Sequence, residues 1–585
     1  MLLQSGHDTH HKQSFFSTYV WSEDHKMIGK QFMFTALLMY AVGGLLALGV
    51  RGQLGWPETA GKFINPIFGW SGDKVPGEGY NMLFTMHASV MIFLVIIPML
   101  NGAFANYVVP LQIGARDMAF PFLNALSYWT YVPAILILAS SFFVEGGSGQ
   151  GGWTSYPPLA EKQWTPGTGQ TLWLIGAFTA GASSIMGAVN YITTIVKMRA
   201  PGMSFFRMPM TTWAIFITAI LQLFSTPVLG SALLMQTTDR VFGSSFFIPD
   251  GLAVSGNPVT GIAGGGQVLM WQHIFWFYSH PAVYIMILPA MGIVSDVMAC
   301  FARKPIFGYK PMVYSIGGIA GLGFVVWGHH MFSSGMNPFL GMTFMVSTMF
   351  IALPSAVKTF NWLGTLWGGQ ITFSSAMLNA LSFVTMFVIG GLSGIFCAAT
   401  SVDMHIHDTY FIVGHIHYVL FGGTTFGIFA GITYWFPKMF GRYMNEGLGK
   451  LHWFITFVAF NCVFFPMHIL GSQGMMRRVA DPYNYEYLKP MLGLNRFMSI
   501  SAFVLGAAQI IFVFNMLWSM KKGRKVESDN PWKSNSLEWQ TPTPPPHGNF
   551  PGPVPTVYRG PYEYSSPQVA EDYLPQTTKL PGDSA

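Results

Sequence analysis

Twelve stretches of about twenty mostly apolar residues run through this chain, and that is the length a helix needs to cross a bilayer. They fall near residues 31–50, 82–104, 119–143, 172–196, 211–236, 268–295, 312–333, 338–358, 371–398, 410–436, 452–471 and 497–519. A backbone in lipid must satisfy its own polar groups, so the expected fold is all-α: a polytopic membrane protein of twelve transmembrane helices. Only 9% of the 585 residues are charged, against about 25% in an ordinary soluble domain. That is too little charge to cover a soluble surface of this size. The net charge of +6 then reads as lysines and arginines in loops on one side of a membrane, not as a nucleic-acid surface. Cys300, Cys397 and Cys462 lie far apart. Their spacing excludes a zinc ribbon, a covalently attached haem and a thiolate-bridged copper pair. The first thirty residues hold no apolar stretch of the kind a cleavable signal needs.

Loop charges orient the bundle. With the N-terminus inside, the inner loops carry Lys197, Arg199 and Arg207, then Arg303, Lys304 and Lys310, then Lys438, Arg442 and Lys450. Lys521, Lys522, Arg524 and Lys525 follow the last span, so both ends are expected on the cytoplasmic side. Adjacent Arg477 and Arg478 break this pattern on an outer loop. The chain divides into a cytoplasmic segment (1–30), a helical domain (31–520) and a Pro-rich cytoplasmic tail (521–585). Twelve prolines and no apolar run in 526–585 predict a solvated tail.

Ionisable residues at membrane depth are costly and are functional candidates by default. His87, His273, His280, His329, His330, His415 and His417 all fall inside the spans. One such histidine is most simply bonded to a neighbouring carbonyl; so many together, with few carboxylates near them, point to metal. His415 and His417 are two apart, roughly 200° around a helix, so they serve different centres. His329 and His330 are about 100° apart and can converge on one ion. His280 is the natural third ligand, and three neutral imidazoles with an open position suit copper or zinc. Tyr284 follows His280 by one helical turn on the same face; it is either a core tyrosine or a source of one electron and one proton. His87 could oppose a histidine of the tenth span across a flat cofactor such as haem. Lys358 either snorkels or carries protons. Asp117, before the third span, is either a helix-start acid or the mouth of a proton path.

These motifs resemble those of subunit I of the haem–copper terminal oxidases, cytochrome c oxidase type. FTMHASVM, NYVVPLQIGARDMAFPFLNALSYW, FWFYSHPAVY, WGHHMF, HDTYFIVGHIHYV and the Arg pair carry the resemblance, over residues 20 to 520. It implies that the helices enclose two haems, expected to be of the a type, and one copper. His87 and His417 would be the axial ligands of the low-spin haem, and His415 the ligand of the high-spin haem. His280, His329 and His330 would bind copper, with Tyr284 joined to the first of them. Arg477, Arg478 and Trp153 would meet haem propionates, and Arg51 a peripheral substituent of the low-spin haem. His407 and Asp408 match a magnesium or manganese site completed by subunit II. Asp117, Asn106 and Asn124, then Ser183, Ser184 and Asn190, match one proton pathway; Lys358, Ser355 and Thr348 match a second, ending at Tyr284. Many members carry glutamate where Ala282 stands; Tyr278 and Ser279 resemble the pair that a subclass uses instead.

The resemblance implies four-electron reduction of O2 to water, coupled to proton pumping, in a bacterial inner membrane. Implied partners are a subunit II with a dinuclear copper, a subunit III, and cytochrome c as donor. Three rivals remain. A nitric oxide reductase lacks the equivalents of Tyr284 and Lys358. A twelve-span proton-coupled transporter gives no reason for adjacent His329 and His330. A quinol oxidase would carry glutamine where this chain has Met82.

Overall fold

The computed structural model describes residues 14–254, 257–258 and 264–583. Among the described residues, eleven helices are long and apolar enough to cross a membrane. They are α1 (His25–Gly55), α2 (Gly77–Ile113), α3 (Pro121–Phe143), α4 (Thr168–Lys197), α5 (Met210–Phe242), α6 (Val268–Ala302), α8 (Pro338–Leu366), α9 (Ser375–Ala398), α10 (Tyr410–Phe440), α11 (Glu446–Ser472) and α12 (Glu486–Lys522). The seventh expected span is shorter. It is α7 (Tyr309–Gly323), and its apolar run continues into a separate 3₁₀ turn, Trp327–Met331. All twelve expected stretches are therefore helical, one of them broken. A two-residue hairpin, Ala253–Val254 with Asn257–Pro258, is the one small sheet among the described residues.

From α3 onward consecutive helices pack side by side, α2 packs on α1, and α12 returns to α1. Three helices are drawn inside. In α2, α6 and α10, 78–100% of the most apolar window is buried, against 11–50% in the other eight. Those three, four helices apart in the chain, carry His87, His280 with Tyr284, and His415 with His417. Glycine permits the close approach: a Cβ on Gly29 of α1 would stand 2.9 Å from the Ala103 carbonyl of α2. The chain also winds wide after both candidate low-spin ligands, as π-helix at Val90–Ile96 and Tyr418–Thr425. Such turns inside α-helices frequently mark functional sites.

The tail departs from the solvated segment expected of it. It forms little regular structure, yet Leu537, Trp539, Val557 and Tyr564 are buried against the N-terminal face of the bundle. Lys438 of α10 donates to the Asp529 and Thr541 carbonyls at 2.9 and 2.7 Å and to Thr543 Oγ1 at 2.7 Å. Asn549 meets His25 and the Ala115 carbonyl. Prolines deny the segment a helix or sheet of its own. They leave its carbonyls and aromatic rings free to serve the helix ends instead.

Candidate functional site

α6 is the axis of the site. Trp276, His280 and Tyr284 follow one another at four-residue intervals, so they form one stripe on one face. Opposite this stripe the chain leaves α7, breaks at Phe324–Val326 and turns in 3₁₀ geometry through His329 and His330. Irregular backbone at membrane depth is tolerated only where protein covers it. His280 Nδ1 lies 3.3 Å from His330 Nε2, and the Nε2 atoms of His329 and His330 are 3.1 Å apart. Among the described residues, this is the one cluster of three or more His, Cys, Asp or Glu side chains with ligand atoms all within 4.8 Å of one another. Three imidazoles cannot all donate to one another, so nitrogens converging this closely fit a cation at their centre. The Nε2 of His280 is buried without a partner. Its ring meets that of Tyr284 edge-on, centroids 4.5 Å apart. Gly323 makes room for that phenol, because a Cβ there would lie 2.9 Å from it.

Two supports of this cluster were not read from the sequence in these roles. Trp276 stacks on the His330 ring at 3.8 Å with 13° between the planes, and its indole N–H donates to Tyr156 Oη at 2.6 Å. The four-residue stripe was the signal that could have found it. Thr348, assigned above to a proton pathway, has its Oγ1 2.9 Å from His329 Nδ1 and donates to the Phe344 carbonyl at 2.6 Å. With Nδ1 engaged, Nε2 is left for a metal. Thr348→Val is therefore expected to lower metal occupancy at the cluster, with an affinity loss of about 10–100-fold. Metal content after graded chelation checks this, and an unchanged occupancy would refute it.

His87 and His417 face each other from α2 and α10, with rings parallel to within 1° and centroids 6.2 Å apart. Each anchors its Nδ1 on a carbonyl at 2.8 Å, Gly43 for His87 and Val413 for His417, so each keeps Nε2 free. Two metal–nitrogen bonds of about 2 Å placed end to end fit a gap of this order. Phe464 stacks on His417, ring centroids 4.3 Å apart. His415 turns the other way: its Nδ1 lies 2.9 Å from the Gly390 carbonyl and 3.1 Å from Ser393 Oγ, on α9. His273 is not part of the cluster; Trp327 Nε1 donates to it at 3.2 Å.

Arg51 donates from Nη2 to Asn495 and Ser499 at 2.9–3.1 Å, while its buried Nε and Nη1 have no partner. Such orphaned donors fit a polar group of a bound cofactor. On the face opposite the N-terminus, Arg477 pairs with Asp408, and its amide donates to the Asp408 carbonyl at 2.9 Å. Asp408 adopts φ +56° to present both groups. Burial opposes ionisation of the Asp408 carboxyl, but Arg477, His407 and Arg478 together hold it below the usual carboxylate range. His407 sits between Asp403 Oδ2 at 3.2 Å and Asp408 Oδ2 at 3.8 Å. Asp403 is a buried neighbour that sequence reasoning missed. Arg478 reaches Thr154 Oγ1 at 3.3 Å, and burial, with Arg477 beside it, draws it down to about 10. Trp153 stands edge-on to Trp276, centroids 5.7 Å apart.

Lys358 does not reach the surface: it is fully buried, its Nζ without a hydrogen-bond partner, 5.1 Å from the Trp362 ring centroid. Ser355 lies one turn earlier on α8, half-buried. Near the N-terminal face, the Asp117 carboxyl accepts from its neighbour Met118 N at 2.7 Å, and burial raises its pKa. It does not cap α3. Asn190 fixes the approach to α3 instead, bonding both polar groups of Phe120 at 3.0 Å. Asn106 donates to Tyr191 Oη at 3.0 Å, and Ser183 to the Ser127 carbonyl at 2.7 Å, with Ser184 beside it half-buried. Asn124 and Asn101 are buried with both amide atoms unsatisfied. Asn101 was not singled out from the sequence. On α6, Tyr278 and Ala282 are buried, and Ser279 Oγ has no partner.

The family model for cytochrome c and quinol oxidase polypeptide I matches residues 27–524. Cytochrome c oxidase subunit 1 of Synechocystis is 47% identical over 95% of this chain and 94% of its own length. Its counterpart from Thermostichus vulcanus is 46% identical over 94% and 93%. An alternative cytochrome c oxidase subunit 1 from Bradyrhizobium diazoefficiens is 42% identical over 98% and 95%. A solved haem–copper terminal oxidase dimer shares the fold, with a TM-score of 0.68 at 17% identity over 86% of this chain and 85% of that one. The chain belongs to the cytochrome c and quinol oxidase polypeptide I family.

Proposed function

We propose that this chain is the catalytic subunit of a proton-translocating cytochrome c oxidase, reducing O2 to water with four electrons. The observation that carries the reading is the buried three-histidine cluster of α6 and the 3₁₀ turn, set beside the parallel His87–His417 pair. His280, His329 and His330 would hold copper, His415 the high-spin haem iron, and His87 and His417 the low-spin haem iron. When bound, these groups supply the redox chemistry; the haems are expected to be of the a type. Tyr284 holds an electron and a proton at its phenol beside the copper, and its edge-on approach to the unpartnered His280 Nε2 suits a covalent link between them.

The remaining residues neutralise charge and move protons. Arg51, Arg477, Arg478 and Trp153 would receive the haems' polar substituents. His407 and Asp408 would take magnesium or manganese at the boundary with subunit II. Lys358 and Ser355 serve the proton path to Tyr284. Asp117, Asn106, Asn124, Asn190, Ser183 and Ser184 form a second path, leading to Tyr278 and Ser279. Cytochrome c is the donor, through the dinuclear copper of subunit II, with subunit III completing the assembly. Quinol is disfavoured because Met82, where a quinol oxidase would carry glutamine, is buried, its sulfur accepting from Ser148 N at 3.4 Å. The N-terminal face is cytoplasmic, in a bacterial inner membrane.

Metal analysis tests the reading. After subtraction of copper carried by partner subunits, two irons and one copper per chain are expected. Iron without copper would favour a nitric oxide reductase. Absence of both metals would overturn the oxidase reading outright and favour a proton-coupled transporter.

A further inference from the structure

Glu161 is fully buried in the loop after α3, on the face opposite the N-terminus. One carboxyl oxygen accepts from Gln236 Nε2 at 3.2 Å; the other, Oε2, has no partner. Two charged groups of α5 approach it, and neither is free to pair with it. Arg240 directs its guanidinium to the Ala160, Thr165 and Gly167 carbonyls at 2.5–3.0 Å and to Thr171 Oγ1 at 3.1 Å. Asp239 accepts from Ser244 Oγ and the amides of Phe246 and Phe247 at 2.6–3.0 Å. A buried carboxylate with a single hydrogen bond is costly, so the neutral acid competes with it. Burial raises the Glu161 pKa to about 7, with Gln236 and Arg240 opposing the rise and Asp239 adding to it.

The surroundings tie this carboxyl to the redox site. Ser155 Oγ donates to Gln236 Oε1 at 2.9 Å and accepts from Gln170 Nε2 at 2.8 Å. The residues flanking Ser155 face the site: Thr154 takes the Arg478 guanidinium and the Trp271 indole N–H, and Tyr156 takes the indole N–H of Trp276, which lies on His330. On its other side Glu161 is followed by exposed Lys162 and Gln163. The group thus stands between the arginine pair and bulk water.

We propose that Glu161 is a proton-exchanging group of the far face, binding a proton that leaves the redox site and releasing it to the water beyond Lys162 and Gln163. The step is an association and a dissociation at one carboxyl oxygen, with no net change in the residue. It rests on the proton-translocating reading above. The purified oxidase complex, reconstituted in vesicles, tests it with E161Q and E161D. E161Q is expected to lose a protonated-carboxyl band from the infrared redox-difference spectrum, and its proton release per electron should fall. E161D should shift that band and restore release. A band and a proton yield both unchanged in E161Q would overturn the proposal. Should E161Q not assemble, E161D decides by itself: an unshifted band means Glu161 does not exchange protons. If wild-type complex consumes O2 without releasing protons, the translocation reading fails; the band still reports separately whether Glu161 changes its protonation state.

Discussion

His329→Asn is expected to remove copper from the chain while leaving both irons in place, and to abolish O2 consumption. The three converging nitrogens form the one His, Cys, Asp or Glu cluster that the described residues offer an ion, and two close imidazoles are a poor substitute for three. The loss should exceed the about 10–100-fold penalty typical of a lost supporting hydrogen bond, as expected for Thr348→Val. The visible spectrum of the low-spin haem should persist, because His87 and His417 hang from α2 and α10 and share no hydrogen bond with the 3₁₀ turn. Copper content and the spectrum of one purified sample read both parts. Copper retained at the wild-type ratio would refute the ligand assignment, and a low-spin spectrum lost along with the copper would refute the separation into two centres.

Lys358→Met is expected to give a stable, fully metallated and nearly inactive enzyme. Methionine matches the length of the lysine stem and suits the same apolar surroundings over Trp362. The substitution removes a buried amine with no hydrogen-bond partner, so thermal stability should hold or rise. What is lost is a group able to carry a proton at that depth. Turnover should fall by about 100-fold or more, the usual cost of removing a positioned acid or base. Steady-state O2 consumption, with metal content and melting temperature as controls, separates this from misfolding. Normal turnover in a metallated Lys358→Met enzyme would assign the lysine a packing role alone.

The membrane fold was legible in the sequence because lipid leaves so few alternatives: each apolar stretch of about twenty residues must satisfy its backbone internally, and a helix does so. Helical angles alone also separated His415 from His417, and the two rings do point to different neighbours, α9 for one and α2 with α11 for the other. The seventh span was less legible. Its apolar run is continuous in sequence, but the helix ends at Gly323 and a separate 3₁₀ turn, Trp327–Met331, carries His329 and His330. Composition also misled at the tail, where proline content hid rings and carbonyls that only the helix ends could take up.

By itself, then, the sequence determined which residues could not be paid for by lipid solvation and so must meet a partner: the histidines, Lys358 and the outer arginines. That follows from local chemistry, because the cost of a polar group in hydrocarbon does not depend on where the chain goes next. Only the tertiary structure decided what each of them meets. Trp276 on His330, Thr348 on His329, the unpartnered Nε2 of His280 and the enclosed carboxyl of Glu161 depend on helices distant in sequence arriving at one place. Spacing along one helix fixes the direction of a side chain, but its partner is set by the packing of the other helices.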